Sequence, residues 1–401
     1  MQGTVWGSLF CTATMDKLGK LKYANEDMMF KYKGEVNVPA LEMVDDIVDI
    51  QKCGTDAVKA NAVVNLFIEH KKVTLSLAKC HKIHCGKNDL YCPQLKVHNK
   101  NMHEAEEEKY LGDQVNKYAK HASTVSKRRA KGFGIISDIS QILDVIPAGK
   151  RRIKMGLHLR QAWFINSLCV NVEVWHNVLK KDITPFLDLD KYLMKKILGV
   201  HSKVPVELVY LETAAIPINY VLAGRRINYL HNILTRADHE LVKRVFKAQQ
   251  HAPNKGDWCE FLKEDIKIIN FKICEAEMSS FTSKEMKQIV KRCVKSAAFS
   301  QLQDIQSSHT KIRDIKYEGF KIQSYIQSDN FSSEEVSALF NLRASTVNGY
   351  KMCFPNVYKN DKLCQLGCSE EDSLSHSFSC PKINLHIEHS DITWNAIFAS
   401  I

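Results

Sequence analysis

The chain has 401 residues, of which 45% are hydrophobic and 25% are charged, so it can bury a sizeable core and wholesale disorder is not expected. The sequence contains no run of about 18 uncharged apolar residues, and we therefore expect no membrane span. The net charge of +11 favours an anionic partner.

The N-terminus "MQGTVWGSLFCTAT" is apolar but has no basic leader, so it is not typical of a secretory signal. The chain has 13 cysteines, an odd number spread unevenly. Together these features predict an intracellular protein, in the cytoplasm, the nucleus or both, whose thiols are reduced.

Strand and helix signals alternate in the N-terminal part of the chain. Residues 3–20 predict a loop entering a helix, and residues 30–52 predict two short strands around a turn at Asp45–Asp46. Residues 54–72 have helical spacing, with Thr55 as a plausible N-cap. Residues 72–86 alternate apolar and polar side chains, which predicts a strand, and residues 94–115 predict a hairpin.

Helical spacing dominates from about residue 116 onward. Helices are predicted over residues 136–147 and over residues 155–178, the second with one solvent-exposed face. Another helix is predicted to begin at Thr184 and to end at Gly199. Residues 207–250 and a further stretch reaching about residue 344 are also predicted to be helical.

Most of the excess positive charge lies between residues 116 and 163. This segment contains eleven Lys or Arg residues and two Asp residues. The dense clusters "SKRRAK" and "GKRRIK" favour contact with a phosphate backbone over an ordinary solvated helix surface. The predicted contacts are Lys127, Arg128, Arg129, Lys150, Arg151 and Arg152.

Two adjacent carboxylates, Asp45 and Asp46, stand at the predicted turn between two strands. A divalent cation would offset their repulsion, and Mg²⁺ favours one or two carboxylates together with substrate phosphates. An exposed acidic turn is the simpler interpretation of this pair when it is considered alone.

The order and spacing of "QGTVWGSLFCTATMDKLGK", "MVDDIV", "LSLAKCHKIHCG" and "EKYLGDQV" resemble the palm of a reverse transcriptase of the non-LTR, LINE-like retrotransposons. The resemblance implies that Gln2 and Gly3 contact template and nucleotide. It implies that Asp45 and Asp46 are catalytic Mg²⁺ ligands, and that Lys79 lies near the nucleotide phosphates. Finally, it implies that Tyr110, Leu111 and Gly112 form the hairpin that grips the primer end.

The family places its first catalytic aspartate on a strand upstream of the Q-G motif, whereas here only Met1 precedes Gln2. The resemblance therefore implies the C-terminal portion of an RNA-directed DNA polymerase. The intact parent would extend a DNA primer on an RNA template by two-metal nucleotidyl transfer, and the present chain is expected to be inactive. The alternative is a non-catalytic RNA- or DNA-binding protein that uses the basic helices and a zinc knuckle.

A cluster of thiols and one imidazole, with spacing C-x3-C-x7-H-x3-C, stands near the C-terminus. Four such ligands over so short a segment predict a structural Zn²⁺ site. The predicted ligands are Cys364, Cys368, His376 and Cys380, with Cys353 as a possible substitute. Non-LTR elements commonly carry a similar knuckle after the reverse transcriptase, although the family's first spacing is usually x2.

A second cluster contains Cys80, His81, His84, Cys85 and Cys92. Cys80 and Cys85 fall on the predicted strand, where alternate residues point to opposite faces. We therefore predict half-buried strand residues here and no metal site.

The predicted fold class is α+β: a partial polymerase palm with an antiparallel sheet and helices, a mostly helical thumb and connection region, and a small zinc knuckle. The predicted divisions are residues 1–115 for the palm, 116–200 for the basic thumb-like helices, 201–345 for the helical C-terminal region, 346–385 for the knuckle and 386–401 for the tail.

Overall fold

In the computed structural model, the described residues are 16–21, 29–38, 41–43, 46–85, 92–146, 150–176, 178–200, 202–309, 312–313, 315–328, 331–344, 368–370 and 381. The fold is mixed α+β, as predicted, and helices make up most of it. Gln2, Gly3, Asp45 and three predicted zinc ligands, Cys364, His376 and Cys380, lie outside the described residues.

The strands of the described part form five separate two-stranded pairs. Antiparallel pairing joins β1 (Phe30–Tyr32) to β2 (Val36–Val38), β3 (Leu41–Met43) to β4 (Asp46–Val48), β6 (Lys96–Val97) to β7 (Lys100–Asn101), and β9 (Glu107–Tyr110) to β10 (Asp113–Asn116). β5 (His81–Lys82) pairs in parallel with β8 (His103–Glu104). The described strands thus do not join into the continuous antiparallel sheet that was predicted.

The helices of the described part lie mostly C-terminal to these strands. They are α1 (Gly54–Lys71), α2 (Ala122–Asp144), α3 (Lys150–Leu159), α4 (Lys180–Leu198), α5 (Val206–Thr213), α6 (Ile218–Leu234), α7 (Leu241–His251), α8 (Trp258–Ile268), α9 (Glu275–Met278), α10 (Ser283–Ser308), α11 (Ser324–Gln327) and α12 (Ser333–Arg343). A π-helical turn, Arg160–Ile165, and a short α-helix, Asn166–Leu168, continue α3.

Two hydrophobic cores organise the helices. The first lies among α2, α3, α4 and α5 and includes Ile139, Phe164 and Phe186, which are fully buried. The second lies among α6, α7, α8 and α10 and includes Ile227 and Met286. Because α6 contributes side chains to both cores, it joins the two helical groups.

The first core also encloses a charged pair. The Arg160 guanidinium donates to both carboxylate oxygens of Asp190, at 2.6 and 2.7 Å, and to the Ile216 carbonyl at 2.8 Å. The Tyr210 hydroxyl donates to the same carboxylate at 2.7 Å, and burial raises its pKa well above the ordinary value. These bonds satisfy a buried charge that would otherwise be costly in an apolar core.

Several helix boundaries differ from those predicted. The helix predicted over 54–72 is confirmed as α1, but its N-cap is Cys53 and no side chain caps it, so Thr55 is not the cap. The predicted stop at Gly199 is confirmed, with φ at 65°. The predicted start at Thr184 is wrong, because α4 begins at Lys180, where the Asp182 carboxylate accepts a hydrogen bond from the Leu179 amide at 2.8 Å.

The helix predicted over residues 155–178 is also only partly correct. Continuous helix runs from Lys150 to Leu168, and a 3₁₀ turn at Val172–Val174 follows. The break coincides with Asn171, whose φ of 56° is left-handed and incompatible with continued α-helix.

Among the described helices, none is alone long and apolar enough to cross a bilayer. α5 and α6 reach that length only as a pair bent by 58°, and both contribute to the cores described above.

Candidate functional site

Asp46, the described member of the predicted carboxylate pair, belongs to the hairpin of β3 and β4. β3 and β4 pair antiparallel, with Met43 opposite Asp46, but the described part of residues 30–52 contains four strands in two pairs where two strands were predicted. Asp46 is the first residue of β4 and is exposed, so its carboxylate is accessible to a ligand. Its predicted partner Asp45 lies outside the described residues.

The predicted primer-contacting residues occupy the tip of a second hairpin. Tyr110 ends β9 and lies opposite Asp113, and Leu111 and Gly112 form the two-residue turn between them. The φ angles of Leu111 and Gly112 are 47° and 93°, and positive values at both positions are typical of a type I′ turn. The glycine meets this requirement without a steric penalty.

Asp46 of one hairpin and Tyr110 of the other interact electrostatically. Burial raises the pKa of the Tyr110 phenol, and the negative charge of Asp46 raises it further. The Asp46 carboxylate therefore acts electrostatically on a tyrosine that is far away in the sequence. One predicted Mg²⁺ ligand is thus within electrostatic range of one predicted primer contact.

Side chains of the basic helical region hold the Tyr110 hairpin in place. The Arg128 guanidinium forms an ion pair with Asp113, donates to the Leu168 carbonyl at 3.1 Å and lies 5.0 Å from the Trp175 ring centroid. Trp175 in turn stacks on His121 with 4.3 Å between centroids.

Two further hydrogen bonds join the hairpin to this region. The Asn171 amide donates to the Leu111 carbonyl at 3.0 Å, and the Gln114 backbone amide donates to the Thr124 hydroxyl at 2.9 Å. The hairpin tip is thus fixed relative to α2.

These contacts change the predicted phosphate-binding set. The Arg128 side chain is only 8% exposed and is paired with Asp113, so it cannot present its guanidinium to a phosphate. Arg152 is partly exposed and pairs with Asp144 at 2.8 Å. Sequence alone could not separate these arginines from their neighbours, because their acidic partners come from other elements.

Exposed basic side chains remain along α2 and α3. The Lys127 ammonium bonds Glu107 at 3.0 Å and Gln114 at 2.7 Å, but the side chain is still 58% exposed. α3 begins at the predicted contact Lys150. The other exposed basic residues of these two helices are Arg129, Lys131, Arg151 and Lys154.

The strand predicted over residues 72–86 is only partly correct, because β5 (His81–Lys82) lies within it but Lys79 does not belong to a strand. Residues 73–76 are irregular, and Lys79 is the last residue of a 3₁₀ turn, Leu77–Lys79, with an exposed side chain. Burial does alternate along residues 71–78, but no strand pairs with this segment in the described part of the chain. The alternating sequence therefore predicts the exposure of these residues correctly, although they do not form a strand.

The predicted zinc knuckle is represented by Cys368 alone among the described residues, and it is partly exposed. A different group of metal-ligating side chains is within the described part. Ligand atoms of His84, Cys92 and Glu104 all lie within 4.8 Å of one another. Asp46 does not belong to any such group of three within the described residues.

Sequence reasoning considered His84 and Cys92 and predicted that they bind no metal. It assumed that a strand holds the segment, whereas residues 83–85 lie beyond the end of β5 and are irregular. Glu104 was not predicted as a ligand, because only the parallel pairing of β5 with β8 brings its carboxylate close to His84 and Cys92.

Comparison with known proteins gives no match for this chain among protein-family models, curated proteins or solved structures.

Proposed function

We propose that this chain contains palm and thumb elements of a reverse transcriptase of the non-LTR retrotransposon kind, which takes an RNA template and a DNA primer. The observation that carries the proposal is the attachment of the Tyr110 hairpin to the basic helix α2 through Asp113 and Arg128, with the charge of the Asp46 hairpin also acting on Tyr110. In the resemblance, these hairpins carry the catalytic carboxylates and the primer grip, two parts that must meet at the primer end.

The arrangement of the exposed charges supports the same assignment. The Tyr110 hairpin is fixed to α2 through Asp113 and Arg128, and α2 and α3 present exposed lysines and arginines. Neutralising backbone phosphates with such side chains releases counterions, which provides affinity without sequence preference. A duplex bound along these helices would lie next to the hairpin.

The carboxylates of Asp45 and Asp46 suit Mg²⁺, which takes oxygen ligands. When bound in a complete site, Mg²⁺ activates the primer 3′-oxygen and stabilises the leaving pyrophosphate. Exposed Asp46 offers one carboxylate to such an ion, its charge acts on Tyr110, and Asn171 holds the turn that follows Tyr110. The resemblance places a third carboxylate upstream of Gln2.

The second candidate function is non-catalytic binding of RNA or DNA. The observation that favours it is the exposed basic surface of α2 and α3, which needs no catalytic carboxylate to bind phosphates. The two candidates differ in whether the two hairpins contact the nucleic acid.

The chain is expected to bind an RNA–DNA primer–template, and any nucleotide incorporation should depend on Asp45 and Asp46, which the resemblance makes the Mg²⁺ ligands. Primer extension with Mg²⁺ and all four deoxynucleotides measures this. The control is the double variant Asp45→Ala/Asp46→Ala, which should bind with an unchanged salt dependence. Extension that persists unchanged in the double variant would contradict the assignment of these two carboxylates as the catalytic Mg²⁺ ligands.

A further inference from the structure

His84, Cys92 and Glu104 form a compact set of three different ligand groups. Their ligand atoms lie within 4.8 Å of one another, although the residues come from separate segments. Glu104 is held in position because β8 pairs in parallel with β5, with Lys82 opposite Glu104. The Ala105 amide also donates to the Lys82 carbonyl at 2.9 Å, which continues this pairing beyond β8.

The chemistry of the three groups is that of a zinc-type metal. A thiolate, an imidazole and a carboxylate are the side chains that bind Zn²⁺ in tetrahedral sites, whereas Ca²⁺ and Mg²⁺ favour oxygen ligands alone. Three protein ligands leave one position for water or a further ligand.

Groups of this site already surround the positively charged ammonium of Lys82. The Lys82 ammonium lies 3.2 Å from a Glu104 carboxylate oxygen, 3.5 Å from the Cys92 sulfur and 2.9 Å from the Pro93 carbonyl oxygen. The Cys92 thiol also lies 3.9 Å from the same carboxylate oxygen. Three acceptor groups from two segments thus converge on one cation, and Lys82 competes with any metal for this position.

We propose that His84, Cys92 and Glu104 bind a zinc-type divalent metal ion that links the segment after β5 to β8. On binding, the Cys92 thiol loses its proton to solvent and the thiolate forms a bond to the metal. The thiolate and the Glu104 carboxylate then balance the two positive charges of the ion, and His84 binds as the neutral imidazole. Lys82 keeps its hydrogen bond to Pro93 and turns away from the ion.

Cobalt(II) titration of the full chain tests this site, because thiolate-bound Co²⁺ gives an intense near-ultraviolet charge-transfer band. The background is a chain in which Cys353, Cys364, Cys368 and Cys380 are replaced by serine, so that the C-terminal cysteines do not contribute. In this background Cys92→Ser and His84→Ala should each lose one bound Co²⁺ ion and its band. The matched control Cys274→Ser, at another exposed cysteine, should retain both.

Two milder variants keep the test informative if those substitutions disturb folding. Glu104 has a 54% exposed side chain, so Glu104→Gln should preserve the fold and weaken Co²⁺ binding about tenfold. Lys82→Met removes the competing ammonium but keeps the aliphatic stem, and should tighten binding about tenfold. Equal Co²⁺ stoichiometry and affinity in the background chain, Cys92→Ser and Glu104→Gln would overturn the proposal and leave a lysine-centred ion pair.

Discussion

Replacing Arg160 by methionine is expected to lower the free energy of unfolding by about 3–5 kcal/mol, the usual cost of removing one partner from a buried ion pair. Arg160 and Asp190 side chains are 4% and 0% exposed, and the guanidinium makes two hydrogen bonds to this carboxylate. Methionine fills the volume of the arginine stem but leaves the Asp190 charge in the core with Tyr210 as its remaining hydrogen-bond donor.

Urea denaturation followed by tryptophan fluorescence measures the effect, since Trp163 and Trp175 belong to the same core. Arg151→Met is the matched control at an exposed position of the preceding helix and should change stability by less than about 0.5 kcal/mol. The double variant Arg160→Met/Asp190→Asn should be more stable than Arg160→Met, because no uncompensated charge remains. A loss below about 1 kcal/mol for Arg160→Met would show that the pair does not hold this core together.

Replacing the exposed basic residues of α2 and α3 by glutamine is expected to weaken binding to an RNA–DNA duplex about a hundredfold in 0.1 M salt. The slope of log affinity against log salt concentration should also fall by about 3, since each lost phosphate contact removes slightly less than one released counterion. The substituted residues are Lys127, Arg129, Lys131, Arg151 and Lys154.

The matched control removes the same number of charges from α10, which lies in the second core. Its exposed basic residues are Lys284, Lys287, Lys291, Arg292 and Lys295, and their replacement by glutamine should change affinity less than about threefold. Fluorescence anisotropy at several salt concentrations measures both. Equal losses in the two variants would mean that net charge, and no particular surface of the protein, determines binding.

Local signals predicted the helices well where the deciding chemistry was also local. α1 follows directly from the spacing of its apolar residues, and Gly199 ends α4 because its left-handed φ suits glycine. The start of α4 was missed because the Asp182 carboxylate, lying within the first turn, bonds the Leu179 amide ahead of Thr184 and Pro185.

The features that could not be predicted from the sequence depend on contacts between residues of different segments. Residues 71–78 alternate in exposure as a strand does, yet a strand requires a hydrogen-bonded partner and this segment has none within the described residues. Arg128 and Arg129 are neighbours in a basic cluster, but only Arg128 is buried. It is paired there with Asp113 of the β9–β10 hairpin. Similarly, Glu104 joins His84 and Cys92 only through the pairing of β5 with β8.

Photocrosslinking from the 3′ end of the primer tests the proposed function most directly, because it locates the primer end without requiring catalysis. An RNA–DNA primer–template carrying a photoreactive nucleotide at that end is bound to the chain, irradiated and analysed by peptide mass spectrometry. The proposal predicts crosslinks in residues 41–48 and in the Glu107–Asn116 hairpin, together with weaker ones in α2. Crosslinks confined to α2, α3 or the C-terminal cysteine cluster, with none in either hairpin, would contradict the reverse-transcriptase proposal and favour non-catalytic nucleic-acid binding.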